Sequence, residues 1–338
     1  MNLSGSVRAD LTGGTLDLYP INRVLESVRT LNVALGLKAN VELNVRDDSQ
    51  VVINSVDYNK KITFSLKDLN IHSFYKDGFF STQKFEELTF VAYILRHFNL
   101  SKGLEVNLKS QAPAGSGLGG SSSLGVTLFK ALAQYQKQSY SNQEIIEIVR
   151  NAEALILGQG IPGYQDYYPA LFGGVLSLNV RPNSIEVEQL FSKELQDFLE
   201  SNCHLVYSNK SRLSGINNWK AYKNFFEEDN HTRNAFLEIS KCSQLAYDAV
   251  TQKDFSSLKE TILREGQVRD RFFPGFVNSE MKEFEKRLLK VNPQSGIKVC
   301  GAGGGGCFLV FHENEKEVKS ICNDLAMELL EFSVEKPL

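Results

Sequence analysis

Leu104, Val106 and Leu108 alternate with polar residues, and a glycine- and serine-rich stretch then gives way to apolar residues at helical spacing. That change of period predicts strand, loop and helix in succession. Earlier in the chain, Val41, Leu43 and Val45 alternate with polar positions, as do Ile62, Phe64 and Leu66, with turn-prone Asp47-Asp48-Ser49 between them. Phe85, Leu88, Val91, Ala92 and Leu95 form a helical stripe. Ser141 with Glu144 reads as a capping box, and Ile145, Ile148, Val149, Ala152 and Ile156 lie on one face, which predicts a helix from Asn142 to about Gly158. From Glu186 to Glu200 the sequence turns polar, as suits a domain junction. The remainder predicts helices over Phe236–Val250, Phe255–Val268 and Met281–Leu289, strands at His204–Tyr207, Ile297–Val299 and Phe308–Phe311, and a last helix near Val318–Leu330. Mixed strands and helices in two halves give an α+β expectation, and 338 residues are long enough for two cores.

The loop at the change of period reads Pro113-Ala-Gly-Ser-Gly-Leu-Gly-Gly-Ser-Ser-Ser123. Glycines let a backbone approach a phosphate, amides at a helix start have no intrahelical acceptor, and the helix dipole favours an anion. Ser121, Ser122 and Ser123 add hydroxyls for phosphate or Mg²⁺. No Gly-Lys-Ser/Thr closes the segment, which excludes a Walker A loop. Gly115, Gly117 and Gly120 satisfy G-x-G-x-x-G, but a second helix follows where a dinucleotide fold needs a strand ending in an acid. A turn that uses its glycines for geometry alone remains the plain alternative.

Two more glycine clusters bear on that choice. Cys300-Gly-Ala-Gly-Gly-Gly-Gly-Cys307 lies between strand-like runs, and four consecutive glycines exceed what a hairpin needs. Close approach to a ligand is the expectation there. Near the start, Arg8-Ala-Asp-Leu-Thr-Gly-Gly-Thr-Leu-Asp-Leu-Tyr19 sets Arg8, Asp10 and Asp17 among apolar residues and glycines, which suggests a polar site beside a strand end.

These three motifs, in this order, resemble those of the GHMP kinases, the family of galactokinase, homoserine kinase, mevalonate kinase and phosphomevalonate kinase. The resemblance runs from Arg8 to Gly306. It implies a ribosomal protein S5 domain 2-like domain over residues 1–190 and a ferredoxin-like domain over 191–338, with the active site between them. It also implies ATP and Mg²⁺ as cofactors. The phosphate loop of the family corresponds to Pro113, Gly115, Ser116, Gly117, Leu118, Gly119, Gly120, Ser121, Ser122 and Ser123. Gly120 stands where the family often has its first serine, so Ser121 corresponds to the serine that reaches the metal, and one hydroxyl on the phosphates is missing.

Phosphoryl transfer needs positioning, charge neutralisation and a group that accepts or orients the acceptor hydroxyl. In Gly163-Tyr-Gln-Asp-Tyr-Tyr-Pro-Ala-Leu-Phe-Gly-Gly174, Asp166 reads from the residues alone as an Asx turn or cap. The resemblance instead makes it the catalytic base, and the segment looks most like the sugar-kinase members, such as heptose 7-phosphate kinase and fucokinase. Arg8 corresponds to the arginine that opens the first motif of galactokinase-like members, against a solvated strand-edge arginine as the alternative. A cation there would stabilise charge on the transferring phosphoryl group. Asp17, with Gly14 and Thr15, corresponds to the part that contacts sugar hydroxyls, and Gly301, Ala302, Gly303 and Gly304 to a substrate-side motif. Gly13-Gly14-Thr15 departs from the Gly-Glu-His of galactokinase, which argues against galactose. Glu153 corresponds to the glutamate that holds Mg²⁺ with Ser121; a solvated helix face is its plain reading. Lys210 and Arg212 could reach a substrate phosphate or simply lie on a solvated loop.

Composition narrows the partners. Net charge is −3 with acids and bases interspersed, so nucleic acid and anionic membrane are not expected. No apolar run reaches membrane-spanning length and the amino terminus lacks a leader pattern. Five cysteines without C-x-x-C pairing read as reduced thiols of a cytoplasmic protein, and five scattered histidines lack zinc-ligand spacing. The expected partner is a small sugar or sugar phosphate, bound by a monomer or homodimer. A mevalonate-type kinase of a non-sugar alcohol and a non-catalytic regulator that binds nucleotide and sugar are the competing readings.

Overall fold

The computed structural model describes residues 1–26, 28–158, 161–181, 184–210, 223–227 and 230–338. Its first half is built on a long strand, β2 (Arg29–Val45), which pairs antiparallel with β1 (Asn2–Thr12) along one edge. On the other edge, β2 pairs with β7 (Leu104–Ser110) and β8 (Val175–Val180). The sheet continues outward through β3 (Gln50–Ser55) to β4 (Lys60–Ser65) on one side and to β9 (Ile185–Gln189) on the other. The β3–β7 pair is parallel.

Helices α1 (Thr89–His97), α2 (Gly120–Tyr135) and α3 (Asn142–Leu157) share one apolar core with this sheet, in which Val106, Leu108, Leu128, Phe129 and Val149 are buried. Ser141 caps α3 as its sequence predicts: its Oγ accepts from the Glu144 amide at 3.2 Å, and Glu144 Oε2 accepts from the Ser141 amide at 2.7 Å.

The second half carries β10 (Cys203–Tyr207), α6 (Asn230–Thr251), α7 (Phe255–Phe272), α8 (Ser279–Val291), β11 (Gly296–Val299), β12 (Cys307–Phe311), α9 (Glu315–Asp324) and β13 (Glu328–Leu330). Its sheet runs β11-β12-β10-β13 and is antiparallel throughout, the strand order of a ferredoxin-like β-α-β-β-α-β unit. A second core joins the halves, with Val7, Ala9 and Leu31 packed in one cluster with Leu205, Ile262 and Phe311. The last residues cross back to the first sheet, where the Glu335 amide donates to the Ala34 carbonyl at 2.8 Å. No helix among the described residues is long and apolar enough to cross a membrane.

Three sequence expectations need correction, and the stretch read as a domain junction gains elements of its own. The turn-prone Asp47–Ser49 leads into the extra strand β3, whose Val51-Val52-Ile53 is a continuous apolar run and not an alternation. Leu66 leaves its strand to begin a short 3-10 helix capped by Ser65. The polar stretch after Glu186 is ordered as β9 and α5 (Lys193–Asn202). The last helix ends at Asp324, and after Ala326 at φ 53 the chain forms β13.

Candidate active site

The central loop and the start of α2 sit where β1 and the Gly163–Gly174 segment meet. Arg8 is buried on β1 at 3% exposure, and its Nη1 donates to the Gly117 carbonyl at 2.6 Å. Its Nε donates to Asp166 Oδ1 at 2.8 Å, and Nη2 closes an ion pair on the same oxygen. Burial works against the Arg8 charge, but Asp166 and Asp10 outweigh it and push its pKa up. The backbone fixes the same arrangement, since the Arg8 amide donates to the Leu118 carbonyl at 2.9 Å.

Gly119, at φ 71, precedes α2 without any side-chain cap, so the first amides of a 16-residue helix are left without a side-chain acceptor. Such a helix start fits an anion. Within the loop, Ser116 and Leu118 are buried, and the Ser116 amide donates to the Pro113 carbonyl at 3.0 Å.

The three serines diverge. Ser121 is exposed at the helix start. Ser122 and Ser123 correct the sequence reading, because their hydroxyl protons are committed inside the fold. Ser122 Oγ donates to Glu153 Oε2 at 2.8 Å, and Ser123 Oγ donates to the Ser6 carbonyl at 2.9 Å, tying α2 to β1. Glu153 is buried and not on a solvated face, and the Tyr167 hydroxyl also donates to its Oε2, at 2.6 Å. Burial raises the Glu153 pKa, opposed by Tyr167, Ser122 and Ser121. Ser121 at the start of α2 and the Glu153 carboxylate on α3 are a donor set that suits Mg²⁺, which keeps most of its sites for water and phosphate.

Asp17 lies deeper than a substrate-facing acid should. It is fully buried, and its Oδ2 accepts from the amides of Tyr164 at 2.6 Å and Gln165 at 3.0 Å. Oδ1 has no hydrogen-bond partner among the described residues. Burial lifts its pKa to about 6. The contact with sugar hydroxyls expected of Asp17 is therefore narrowed to one oxygen.

Gly14 and Thr15 belong to a turn held from the second half: Arg269 Nη1 donates to Thr15 Oγ1 at 3.1 Å and Nη2 to the Gly14 carbonyl. In the third cluster, close approaches to protein are also present. The Cys307 amide donates to the Ser116 carbonyl at 2.7 Å, and a Cβ on Gly306 would lie 2.5 Å from that oxygen. A Cβ on Gly303 would lie 2.4 Å from the Phe276 ring, and the Gly304 amide donates to the Phe276 carbonyl at 2.8 Å. Gly301 is half-buried and Ala302 buried beside them. This hairpin braces the central loop from the second half. Lys210 pairs with Glu280 on the surface, and Arg212 lies outside the described residues.

Sequence reasoning gave no role to Tyr167, Glu265, Arg269 or Lys298 individually, although the Arg264–Arg271 segment, which holds Glu265 and Arg269, resembles a C-terminal segment of the heptose kinase branch. A lysine between Ile297 and Val299 in an apolar strand was the available signal for Lys298, which is fully buried.

A model of the GHMP kinase N-terminal domain matches residues 87–174, the stretch that contains the loop, Glu153 and Asp166. Three relatives match most of the chain. D-glycero-alpha-D-manno-heptose 7-phosphate kinase of Campylobacter jejuni is 26% identical, over 93% of this chain and 90% of its own length. Mevalonate kinase of Methanocaldococcus jannaschii is 23% identical, over 92% and 93%. Bifunctional fucokinase/GDP-fucose pyrophosphorylase of Arabidopsis thaliana is 24% identical over 93% of this chain, which spans 28% of that protein's length. The chain belongs to the GHMP kinase family. As a GHMP kinase it is a phosphotransferase with an alcohol acceptor. Solved structures agree on this GHMP kinase's fold: mevalonate kinase of Methanococcus jannaschii has a TM-score of 0.74 at 18% identity, covering 99% of this chain and 98% of that one. Galactokinase of Lactococcus lactis has a TM-score of 0.74 at 15%, covering 100% and 95%.

Proposed function

We propose that this GHMP kinase uses ATP with Mg²⁺ to phosphorylate a hydroxyl of a sugar or sugar phosphate, in a cytoplasmic setting. The observation that carries the reading is the Arg8–Asp166 pair, a carboxylate held by a buried guanidinium that also grips the Gly117 carbonyl. Asp166 is thereby fixed beside the uncapped start of α2, where the loop amides would hold phosphate. Asp166 accepts or orients the proton of the acceptor hydroxyl, and Arg8 supplies positive charge toward the transferring group. Ser121 and Glu153 would hold Mg²⁺, which when bound neutralises charge on the phosphate oxygens. Glu153 must be ionised for this, and Tyr167 and Ser122 favour that form by hydrogen bonding.

Asp17 supports the sugar branch over the mevalonate branch. Its unpartnered Oδ1 is an acceptor that any of a sugar's several hydroxyls can satisfy, whereas mevalonate brings its two hydroxyls together with a carboxylate that an ionised Asp17 repels. The relatives themselves include both branches at similar identity. The test is ATP consumption with Mg²⁺ against L-fucose, D-glycero-D-manno-heptose 7-phosphate, glucuronate and mevalonate. Turnover of one of the sugars and none of mevalonate is expected. Preference for mevalonate would overturn the sugar assignment, and nucleotide binding without turnover of any alcohol would favour a regulator.

A further inference from the structure

Behind the Gly13–Thr15 turn lies a cluster of two acids and two bases drawn from three elements. Lys298 on β11 donates to Asp10 Oδ2 on β1 at 2.8 Å and lies 3.7 Å from Glu265 Oε1 on α7. Glu265 Oε1 also accepts from Arg269 Nε at 2.6 Å, one helical turn along α7. All four side chains are at most 1% exposed in these pairs. Two positive and two negative charges balance, which is the condition for keeping them out of water. Asp10 is desolvated by burial, yet Lys298 and Arg269 bring its pKa below the ordinary value.

The cluster does not end on itself. Glu265 Oε2 accepts from the Gly13 amide at 2.9 Å, and Asp10 Oδ1 accepts from the Gly14 amide at 3.2 Å. Arg269 takes the Gly14 carbonyl and Thr15 Oγ1 with its two remaining nitrogens. The turn it grips is strained: Thr15 stands at φ 81, where a β-branched side chain crowds its own backbone. Such a conformation persists only where its surroundings over-determine it. Beyond Leu16, the next residue after the turn, comes Asp17 with its unpartnered Oδ1.

We propose that Arg269, with Glu265 behind it, is a positioning residue for the acceptor, holding the strained Gly13–Thr15 turn so that Asp17 is presented to substrate. The inference rests on the acceptor side of the site lying at Asp17, as proposed above. It adds that the second half of the chain sets acceptor specificity through a buried guanidinium and not through a residue that touches substrate. The fork is the essential feature, because a lysine keeps the charge but cannot reach Glu265, Gly14 and Thr15 together.

Arg269→Lys keeps the charge balance and separates positioning from burial. The first measurement is amide hydrogen exchange on the full-length protein without ligand. Exchange at residues 13–18 should rise about tenfold or more in the variant, with β1 and the start of α2 unchanged. The second is steady-state kinetics with ATP and whichever alcohol the wild type phosphorylates. KM for the alcohol should rise about tenfold or more, KM for ATP should stay within about twofold, and kcat should fall less than KM rises. A double variant, Glu265→Gln with Lys298→Met, keeps the cluster neutral and should loosen the same residues. Wild-type exchange at 13–18 in Arg269→Lys, or a rise spread evenly over the molecule, overturns the proposal. So does an equal rise in both KM values. If the wild type phosphorylates no alcohol, the functional reading fails, while the exchange result still decides whether Arg269 holds the turn.

Discussion

Gly119 lies directly against Asp166: a Cβ on Gly119 would stand 3.3 Å from the Asp166 Cβ and 3.4 Å from its carboxyl carbon. The residue that precedes α2 thus sets how close the proposed base comes to the helix start. Gly119 also stands at φ 71, which only glycine adopts without cost. Gly119→Ala should destabilise the protein by about 1–2 kcal/mol from the backbone alone. It should also displace Asp166, so kcat should fall by about tenfold or more, as misplacement of a catalytic group does. Thermal unfolding and steady-state kinetics read the two effects separately; an unchanged kcat would show that this contact does not position Asp166.

Tyr167→Phe removes one of the side-chain donors from a buried carboxylate. The Glu153 pKa, already raised, should rise further, because the Tyr167 hydrogen bond opposes the shift. Loss of a buried partner to a charged group costs roughly 1–3 kcal/mol. The apparent Mg²⁺ requirement at fixed ATP should therefore increase, and more at low pH than at high pH. Mg²⁺ titrations of activity across pH test this, and identical titrations for variant and wild type would remove Glu153 from the metal site.

Asp17 gives a stability signature that needs no substrate. Burial places its folded pKa at about 6, above that of an unfolded aspartate. Below about pH 4 both states hold the proton and Asp17 contributes no pH dependence. Between pH 4 and 6 only the folded state holds it, so stability falls as pH rises through that window, by roughly 3 kcal/mol in all, and then levels. Asp17→Asn cannot titrate. Its Tm relative to wild type should climb from pH 4 to about 6 and stay flat above. A constant difference over that range would show that the carboxylate is not buried in solution.

What the sequence disclosed was mostly local. The Pro113–Ser123 loop with its helix and the Ser141–Glu144 cap are written in contiguous residues, and each lies where the pattern placed it. β3 escaped because Val51-Val52-Ile53 is buried on both faces and so carries no alternation. The charge cluster escaped for another reason: Asp10 and Lys298 are 288 positions apart and Gly13 and Glu265 are 252 apart, so no window holds both partners. The roles of Ser122 and Ser123 depend on the phase of α2 against Glu153 and β1, which periodicity does not report.

Gly120 is a separate case. A Cβ there would meet only Ser110 Oγ, at 3.5 Å, an ordinary contact, and the residue already lies in the helix. Gly120→Ser should therefore fold normally and gain a few tenths of a kcal/mol from helix propensity. It should also tighten nucleotide binding by adding a hydroxyl at the helix start. ATP titration of both proteins checks this; weaker binding in the variant would mean that the glycine leaves space that the phosphates need.

The central claim is that Asp166, clamped by Arg8 beside the loop, serves the acceptor hydroxyl and not the nucleotide. Asp166→Asn is nearly isosteric and removes only the charge that Arg8 pairs with and the site that takes the proton. The most direct measurement is single-turnover phosphoryl transfer from Mg²⁺–ATP, with ATP affinity measured in parallel. The account predicts a rate loss of about 10²–10⁴-fold with ATP affinity within about threefold of wild type. Near-normal transfer, or a loss explained wholly by weaker ATP binding, would contradict it.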